Sequence, residues 1–255
     1  MENENDLLRR VFSCIDNTTL NATDNEASVE AFCRRTMEMR VSHGERESTV
    51  AAVCVYPRFV SVAKRVLDGS GIRVASVAGA FPHGQIDIAL KVYEAGRAVE
   101  EGADEVDMVL SRGELLAGHY DTVRDEVAAM KQACGNRTLK VILETCELGT
   151  EELIRTASQL AIDGGADFIK TSTGKGGGGA TLEAAEIMLK CIKENVKKGK
   201  KAVGFKAAGG IRKPEEAMAY AEMAKKIMGS EYINNQTFRI GASSLTEAMF
   251  SFLTF

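Results

Sequence analysis

Short apolar runs rich in β-branched residues alternate with amphipathic segments along this chain. Each run is followed by polar or glycine residues and then by a longer segment with helical periodicity. The runs cover residues 11–16, 48–56, 73–79, 103–110, 139–145, 166–172, 201–208 and 238–243. The helical segments cover 26–41, 60–67, 87–100, 120–133, 151–163, 182–196, 214–228 and 245–253. Eight strands alternating with eight helices predict an α/β protein with the (β/α)8 fold, the TIM barrel.

The length favours one domain. A chain of 255 residues is in the usual range of one α/β barrel, and no linker or change in composition divides it. An open doubly wound sheet ordinarily has fewer strands and a glycine fingerprint after the first strand. No GxGxxG pattern follows residues 11–16. We therefore expect a single (β/α)8 barrel domain over residues 1–255.

The charge and the cysteines exclude several classes of protein. A formal net charge of -4 offers no general attraction for nucleic acid or an anionic membrane, so any anion must be bound locally. The six cysteines include no CxxC pair and no close cysteine–histidine group, so neither a zinc site nor a disulfide framework is predicted. The sequence shows no signal peptide and no spanning apolar stretch. We expect a cytoplasmic protein without nucleic-acid or membrane partners.

Charged residues occur at the predicted carboxyl ends of four strands, which converge on one opening in this fold. Two are the lysines Lys170 and Lys206, and two are the aspartates Asp16 and Asp107. Burial of an ammonium group is costly, and adjacent cations in a partly dry pocket lower each other's pKa. A neutral amine can attack a carbonyl to form a Schiff base, so the set predicts a metal-free aldolase. The spacing leaves open which lysine is the nucleophile.

The acidic residues have alternative roles. Asp107 is a candidate for proton transfer, for holding a lysine in place, or for both. Asp16 is a candidate for orienting a lysine or binding a substrate hydroxyl. Asp104 and Glu105 are expected to face solvent or to lie at the bottom of the barrel.

Glycine-rich loops follow the last three predicted strands. Backbone N–H groups without an adjacent Cβ, serine hydroxyls and one lysine charge suit a phosphate, and phosphate sites after strands seven and eight recur in this fold. The predicted phosphate-binding residues are Gly174, Lys175, Gly209, Gly210, Gly241, Ser243 and Ser244. A Walker A motif is excluded, because Ile169 occupies the place of its first glycine and Gly176 follows the lysine.

Several segments resemble, in order, the signature segments of the deoxyribose-phosphate aldolases. The most specific are FIKTSTGK at 168–175 and GFKAAGG at 204–210, accompanied by IDNTTLN at 15–21, EVDMV at 105–109 and RIGASSL at 239–245. The resemblance implies a Schiff-base aldolase that reversibly cleaves 2-deoxy-D-ribose 5-phosphate to D-glyceraldehyde 3-phosphate and acetaldehyde. It implies small-molecule phosphosugar and aldehyde substrates and no metal or organic cofactor.

The resemblance also implies residue roles. Lys170 corresponds to the Schiff-base lysine, Lys206 to a second lysine that lowers its pKa, and Asp107 to an acid/base residue that works with an ordered water. The residues expected to bind the substrate are Asp16, Thr18, Asn21, Cys54, Thr173 and Lys175. Such barrels are often homodimers, although no segment of the sequence marks an interface.

Three features depart from the family pattern. The loop at 176–181 reads GGGGAT and is expected to loosen the phosphate side of the site, and Ala207 stands where proline is common. Some members end in a tail with a terminal tyrosine, whereas this chain ends at Phe255, so we expect proton transfer to rely on Asp107 and water. The alternatives left open are another Schiff-base phosphosugar aldolase and a non-catalytic barrel that binds a phosphate ligand.

Overall fold

Eight parallel strands close into a barrel, which confirms the predicted (β/α)8 fold. The structure is a computed structural model that describes residues 4–43, 46–200 and 202–254, so Phe255 lies outside the described residues. Two further strands, β2 (Val41–His43) and β3 (Arg46–Ser48), form an antiparallel pair beside the barrel. The barrel strands are β1 (Ile15–Thr18), β4 (Ala52–Val55), β5 (Arg73–Ala78), β6 (Glu105–Val109), β7 (Thr138–Ile142), β8 (Phe168–Lys170), β9 (Gly204–Ala208) and β10 (Phe238–Ala242). Pairing of β10 with β1 closes the ring.

Helices follow the barrel strands, and each predicted helix is present. They are α1 (Glu4–Phe12), α2 (Glu26–Glu38), α3 (Val60–Val66), α4 (Ile88–Glu100), α5 (Arg112–Leu116), α6 (Tyr120–Cys134), α7 (Thr145–Leu148), α8 (Glu151–Asp163), α9 (Leu182–Lys197), α10 (Pro214–Met228) and α11 (Ser244–Thr254). Single turns of 3₁₀ helix cover Pro57–Phe59 and Ser230–Tyr232. None of the described helices is long and apolar enough to span a bilayer.

Local sequence signals explain the helix ends that were predicted to the residue. The Thr150 side chain accepts a hydrogen bond from Leu153 N–H at the start of α8, and Pro214 occupies the first turn of α10. Gly102 and Gly165, which follow α4 and α8, have φ values of 107° and 96°. These positive φ values favour glycine and let the chain turn into the next strand.

The prediction is wrong at the first strand. Val11 and Phe12 belong to α1, and the strand begins only at Ile15. Leu7, Leu8, Val11 and Phe12 are all buried. Their spacing places them on one face of a helix, and this tertiary burial outweighs the β-branched character of the run. Helices α1, α5 and α7 and the pair β2–β3 were not predicted.

The inside of the barrel is divided between small apolar and charged side chains. On one side Ala52, Cys54, Ala75 and Val77 form a cluster with Leu20. The charged side chains Asp16, Glu105, Asp107, Lys140, Lys206 and Arg239 are all fully buried. Because buried charges require partners, these side chains must pair with one another inside the barrel.

We expect Gly204→Ala to destabilise the barrel. A Cβ at position 204 would lie 2.2 Å from Cε1 of Phe168, whose ring packs 5.5 Å from the Arg239 guanidinium carbon. Overpacking of this kind costs about 1–3 kcal/mol in the free energy of unfolding, measurable by urea denaturation. Gly96→Ala is the matched control, because a Cβ there meets nothing within 4 Å, and in α4 it should stabilise by about 0.5–1 kcal/mol. Equal effects of the two variants would contradict the packing described.

Candidate active site

Lys170 and Lys206 are neighbours in the barrel wall. The register of β8 and β9 places them side by side, and both side chains are buried. Each side-chain nitrogen donates to the same oxygen of Asp107, Lys170 Nζ at 2.8 Å and Lys206 Nζ at 2.7 Å from Oδ2. Lys206 Nζ also donates to Asp16 Oδ2. The structure thus brings together the two lysines and two aspartates that the sequence placed at one opening.

A third lysine, which the sequence analysis missed, completes this group. Lys140 Nζ lies 2.7 Å from Asp107 Oδ1, 3.2 Å from Asp16 Oδ2 and 2.6 Å from Glu105 Oε2. Asp107 therefore accepts from three lysines. The only sequence signal at Lys140 is a charged residue between apolar neighbours of β7; its register with Asp107 on β6 comes from the structure.

Arginine side chains hold the carboxylates at the floor of the barrel. Arg239 donates to Asp16 and, through two nitrogens at 3.0 and 2.7 Å, to Glu105. Arg73 reaches Glu105 Oε1 at 3.1 Å from a partly exposed position. Glu105 thus lies at the bottom of the barrel rather than in solvent. Asp104, with a side chain 19% exposed, pairs with Lys64 at the same end.

The interior charges do not balance unless one lysine is neutral. Four buried cations, Lys140, Lys170, Lys206 and Arg239, face the three carboxylates Asp16, Glu105 and Asp107. With Lys170 uncharged, three cations face three carboxylates. A buried charge without a counter-charge is costly, so this balance favours the neutral amine at Lys170.

The directions in which the surroundings shift the pKa values of these groups also favour a neutral Lys170. Burial lowers the pKa of Lys170, and the Lys206 charge lowers it further against the opposing pull of Asp107. Burial also opposes the charge on Lys206, but Asp107 and Asp16 outweigh it and raise the Lys206 pKa. The pKa of Asp107 lies well below its ordinary value, because the three lysines outweigh its desolvation. Lys170 is therefore the lysine best suited to lose its proton.

A cavity of about 430 Å³ opens above Lys170. Among the residues predicted to bind substrate or phosphate, it is lined by Thr18, Asn21, Thr173, Gly174, Lys175, Gly209, Gly210, Gly241, Ser243 and Ser244. Arg212, which was not predicted, also lines it. A cavity of similar volume, about 410 Å³, lies at the opposite end of the barrel and contains none of the predicted site residues.

Two predicted substrate-binding residues lie away from this cavity. Asp16 is fully buried among Lys206, Lys140 and Arg239, so of its two expected roles the geometry supports orienting a lysine. Cys54 is also fully buried, and burial raises the pKa of its thiol to about 11. Lys206 and Asp107 lie beneath the cavity as well, and only Lys170 of the charged group reaches its floor.

Part of the glycine-rich loop after β8 packs closely against the neighbouring loops at the rim. A Cβ at Gly179 would lie 2.3 Å from the Gly209 carbonyl oxygen, and one at Gly178 would lie 2.7 Å from the Cβ of Cys146. The N–H of Ala180 donates to the carbonyls of Ala208 and Gly209. Gly178 and Gly179 thus allow two backbones to approach each other, whereas Gly176 and Gly177 are exposed. That GGGGAT loosens the phosphate side stays a prediction.

Sequence and structure comparisons identify the family of this chain. A model of the DeoC/LacD family aldolases matches residues 10–248. The chain belongs to this family. Its structure is similar to that of a Coccidioides immitis protein assigned as a deoxyribose-phosphate aldolase, with 31% identity, a TM-score of 0.81 and coverage of 96% of this chain and 86% of that one. An aldolase named QR15 has 32% identity and a TM-score of 0.78, with 95% and 96% of the two chains covered.

A tetrameric deoxyribose-phosphate aldolase from Aeropyrum pernix is 25% identical to this DeoC/LacD family chain. The comparison covers 99% of each chain with a TM-score of 0.75. All three comparisons cover at least 95% of this chain.

We expect Arg239→Met to destabilise the protein in a pH-dependent way. Arg239 helps to hold the pKa values of Asp16 and Glu105 below their ordinary values despite burial. Carboxylates with a lowered folded-state pKa stabilise the fold above their unfolded pKa, about 4, and this contribution is lost as the pH falls. Removal of one partner from a buried ion pair costs about 3–5 kcal/mol in the free energy of unfolding at pH 7.

The acid loss of stability should begin at higher pH in Arg239→Met than in the unmodified protein. Chemical denaturation at a series of pH values between 7 and 3 measures both effects. Arg124→Met is the control, because Arg124 forms only exposed ion pairs and should leave the pH profile unchanged. An unshifted profile in Arg239→Met would contradict the assignment of Arg239 as the partner of these carboxylates.

Proposed function

We propose that the protein is a class I aldolase that reversibly cleaves 2-deoxy-D-ribose 5-phosphate to D-glyceraldehyde 3-phosphate and acetaldehyde. The observation that carries the proposal is a lysine of lowered pKa on the floor of a cavity whose rim is a glycine and serine cradle. The substrate named for the relatives from C. immitis and A. pernix supports the choice of sugar.

The phosphate would bind at the rim of the cavity. Gly174, Gly209 and Gly210 have φ values of 74°, 87° and 84°, and helix α11 begins at Ser244 beside them. A helix N-terminus, exposed backbone N–H groups and hydroxyls favour a dianion. Lys175 and Arg212 add positive charge at the same rim. The phosphate would be held at the rim while the aldehyde end of the open-chain sugar reaches Lys170.

The neutral Lys170 amine would add to the C1 carbonyl and lose water to form an iminium. Because acetaldehyde contains two of the five carbons, the bond that breaks is C2–C3. The C3 hydroxyl loses its proton, the C2–C3 electron pair moves into the iminium, and glyceraldehyde 3-phosphate leaves. Protonation of the resulting enamine at C2 and hydrolysis release acetaldehyde and restore the amine.

Asp107 would serve the proton transfers through water. Its lowered pKa keeps it ionised, and its contact with Lys170 Nζ places the carboxylate beside the reacting nitrogen. Lys206 would remain charged and keep the Lys170 pKa low. Lys140, Asp16 and Arg239 would fix the positions of these groups.

Borohydride reduction in the presence of acetaldehyde tests the proposed nucleophile. We expect one reduced adduct, located on Lys170 by peptide mass mapping, and none in Lys170→Ala. An equal adduct in that variant would refute the mechanism. Cleavage assays with ribose 5-phosphate and fructose 1,6-bisphosphate distinguish another phosphosugar aldolase, and phosphate-ligand binding without an adduct or turnover would indicate a non-catalytic barrel.

The pH dependence of cleavage tests the role of Lys206. In Lys206→Met three interior cations would face three carboxylates with Lys170 charged, so we expect the pKa of Lys170 to rise. Each unit of rise lowers the neutral fraction, and hence the rate at pH 7, about tenfold. The acid limb of the kcat profile should move to higher pH, and Lys206→Arg, which keeps the charge, should move it less. A uniform loss of rate with an unmoved limb would show that Lys206 acts only through packing.

A further inference from the structure

Glu144 is a buried carboxylate beside the phosphate cradle, and neither the predicted site nor the mechanism uses it. It follows β7 and is 1% exposed. Its backbone has φ 55° and ψ 59°, the left-handed conformation that is rare and strained for a residue with a side chain. No lysine or arginine among the described residues forms an ion pair with it. An unpaired carboxylate and a strained backbone at one position indicate a functional constraint.

Among the described residues, the hydrogen bonds that the Glu144 carboxylate accepts from nitrogen and oxygen donors all come from Thr173, at the edge of the cradle. Its Oε2 accepts from Thr173 N–H at 3.2 Å and from the Thr173 hydroxyl. The Thr173 oxygen in turn accepts from Lys175 N–H at 3.1 Å. The other carboxylate oxygen, Oε1, lies 3.6 Å from the Cys146 sulfur. We call these hydrogen bonds from Glu144 through Thr173 to Lys175 the Glu144 tether.

The tether determines which groups of the cradle remain available. The Thr173 hydroxyl proton points to Glu144, so towards a ligand this oxygen can only accept. The N–H of Lys175 is used within the turn. The N–H groups of Gly174 and Gly176 donate to no protein acceptor among the described residues. The cavity is lined by Thr173, Gly174 and Lys175, while Glu144 lies behind them.

We propose that Glu144 is a positioning residue for the substrate phosphate. Through the tether it holds the turn at 173–175 in the conformation that presents the Gly174 N–H and the Lys175 side chain to the phosphate. A carboxylate suits this task because it can only accept, which forces both Thr173 donors towards it. The proposal rests on the proposed function, since it specifies how the same site selects a phosphorylated substrate.

The electrostatic effect of Glu144 on the phosphate is opposite to its positioning effect. A negative charge behind the cradle repels a dianion, so removal of the charge alone should not weaken phosphate binding. Loss of the acceptor oxygens frees the turn and leaves two Thr173 donors without a partner. Substitutions by glutamine and by methionine separate the two effects, because glutamine keeps one acceptor oxygen and methionine keeps neither.

The test compares cleavage of 2-deoxy-D-ribose 5-phosphate with cleavage of 2-deoxy-D-ribose. In Glu144→Met we expect KM for the phosphorylated sugar to rise about tenfold, the loss of about one hydrogen bond to a charged group. We expect kcat to stay within about twofold, and kcat/KM for the unphosphorylated sugar to stay within the same range. Glu144→Gln should raise KM by less than about threefold.

Glu147→Met is the matched control, because Glu147 lies on the short helix α7 that begins directly after Glu144. The Glu147 carboxylate pairs with Arg112 at 2.7 Å and makes no hydrogen bond to the cradle, so the ratio of kcat/KM values for the two sugars should not change. Thr173→Val removes the other half of the tether. Its effect on KM should not add to that of Glu144→Met, because the two side chains act through one contact.

Each outcome decides the proposal. An unchanged KM in Glu144→Met, or an equal fall of kcat/KM for both sugars, would overturn it, since the latter is the signature of general damage to the barrel. If Glu144→Met does not fold, Thr173→Val must raise KM for the phosphorylated sugar selectively, or the proposal is wrong. Failure of the proposed function is recognised separately, because the unmodified protein would then cleave neither sugar and form no borohydride adduct.

Discussion

The carboxylate of Asp107, shared by three lysines, is the interaction on which the rest of the site depends. Lys140 occupies Oδ1, while Lys170 and Lys206 both contact Oδ2. One carboxylate cannot neutralise three ammonium groups. The remaining positive charge must be neutralised by Asp16 and Glu105, or one lysine must lose its proton. Asp16 and Glu105 contact Lys140, and Asp16 also contacts Lys206, but only Asp107 contacts Lys170. Burial without a counter-charge of its own therefore disfavours the protonated form of Lys170.

This arrangement makes one set of contacts serve both stability and reactivity. The ion pairs deep in the barrel offset the desolvation of charges that would otherwise destabilise the fold. They also keep Lys206 charged, and that charge helps to lower the pKa of Lys170. A substitution at the floor, such as one at Arg239, is therefore expected to affect the fold first and the amine second. A substitution at Lys206 should affect the amine directly.

The sequence predicted the parts of this structure that depend on local pattern. Helices α8 and α10 were predicted to the residue, and the structure shows a Thr150 cap at the start of α8 and Pro214 in the first turn of α10. The start of the first strand was misplaced because apolar residues at positions 11 and 12 are compatible with a strand or a helix. Only their packing shows that they belong to a helix. The convergence of Lys170, Lys206, Asp16 and Asp107 followed from the barrel itself.

Contacts between distant strands could not be predicted in the same way. Lys140 and Arg239 stand among apolar neighbours, and nothing local shows whether such a side chain faces the interior or the helices. Glu144 follows β7 directly, but its hydrogen bonds with Thr173 span 29 positions and depend on a left-handed backbone at Glu144. These residues support or position other side chains, so their roles are recognised from three-dimensional contacts rather than from a sequence motif.

The reacting end and the phosphate end of the site are held by different structures. The lysines and carboxylates lie on barrel strands whose register fixes their spacing, whereas the phosphate cradle consists of loops that pack against each other at Gly179 and Gly209. Ala207, the position where the family commonly has proline, is buried in the core cluster on the outer side of β9 and does not line the cavity. Neither Ala207 nor the run of glycines forms a hydrogen bond with Lys170 among the described residues; the Lys170 amine donates to Asp107. Changes in the loops can therefore alter the preference for a phosphorylated substrate while the amine chemistry stays the same.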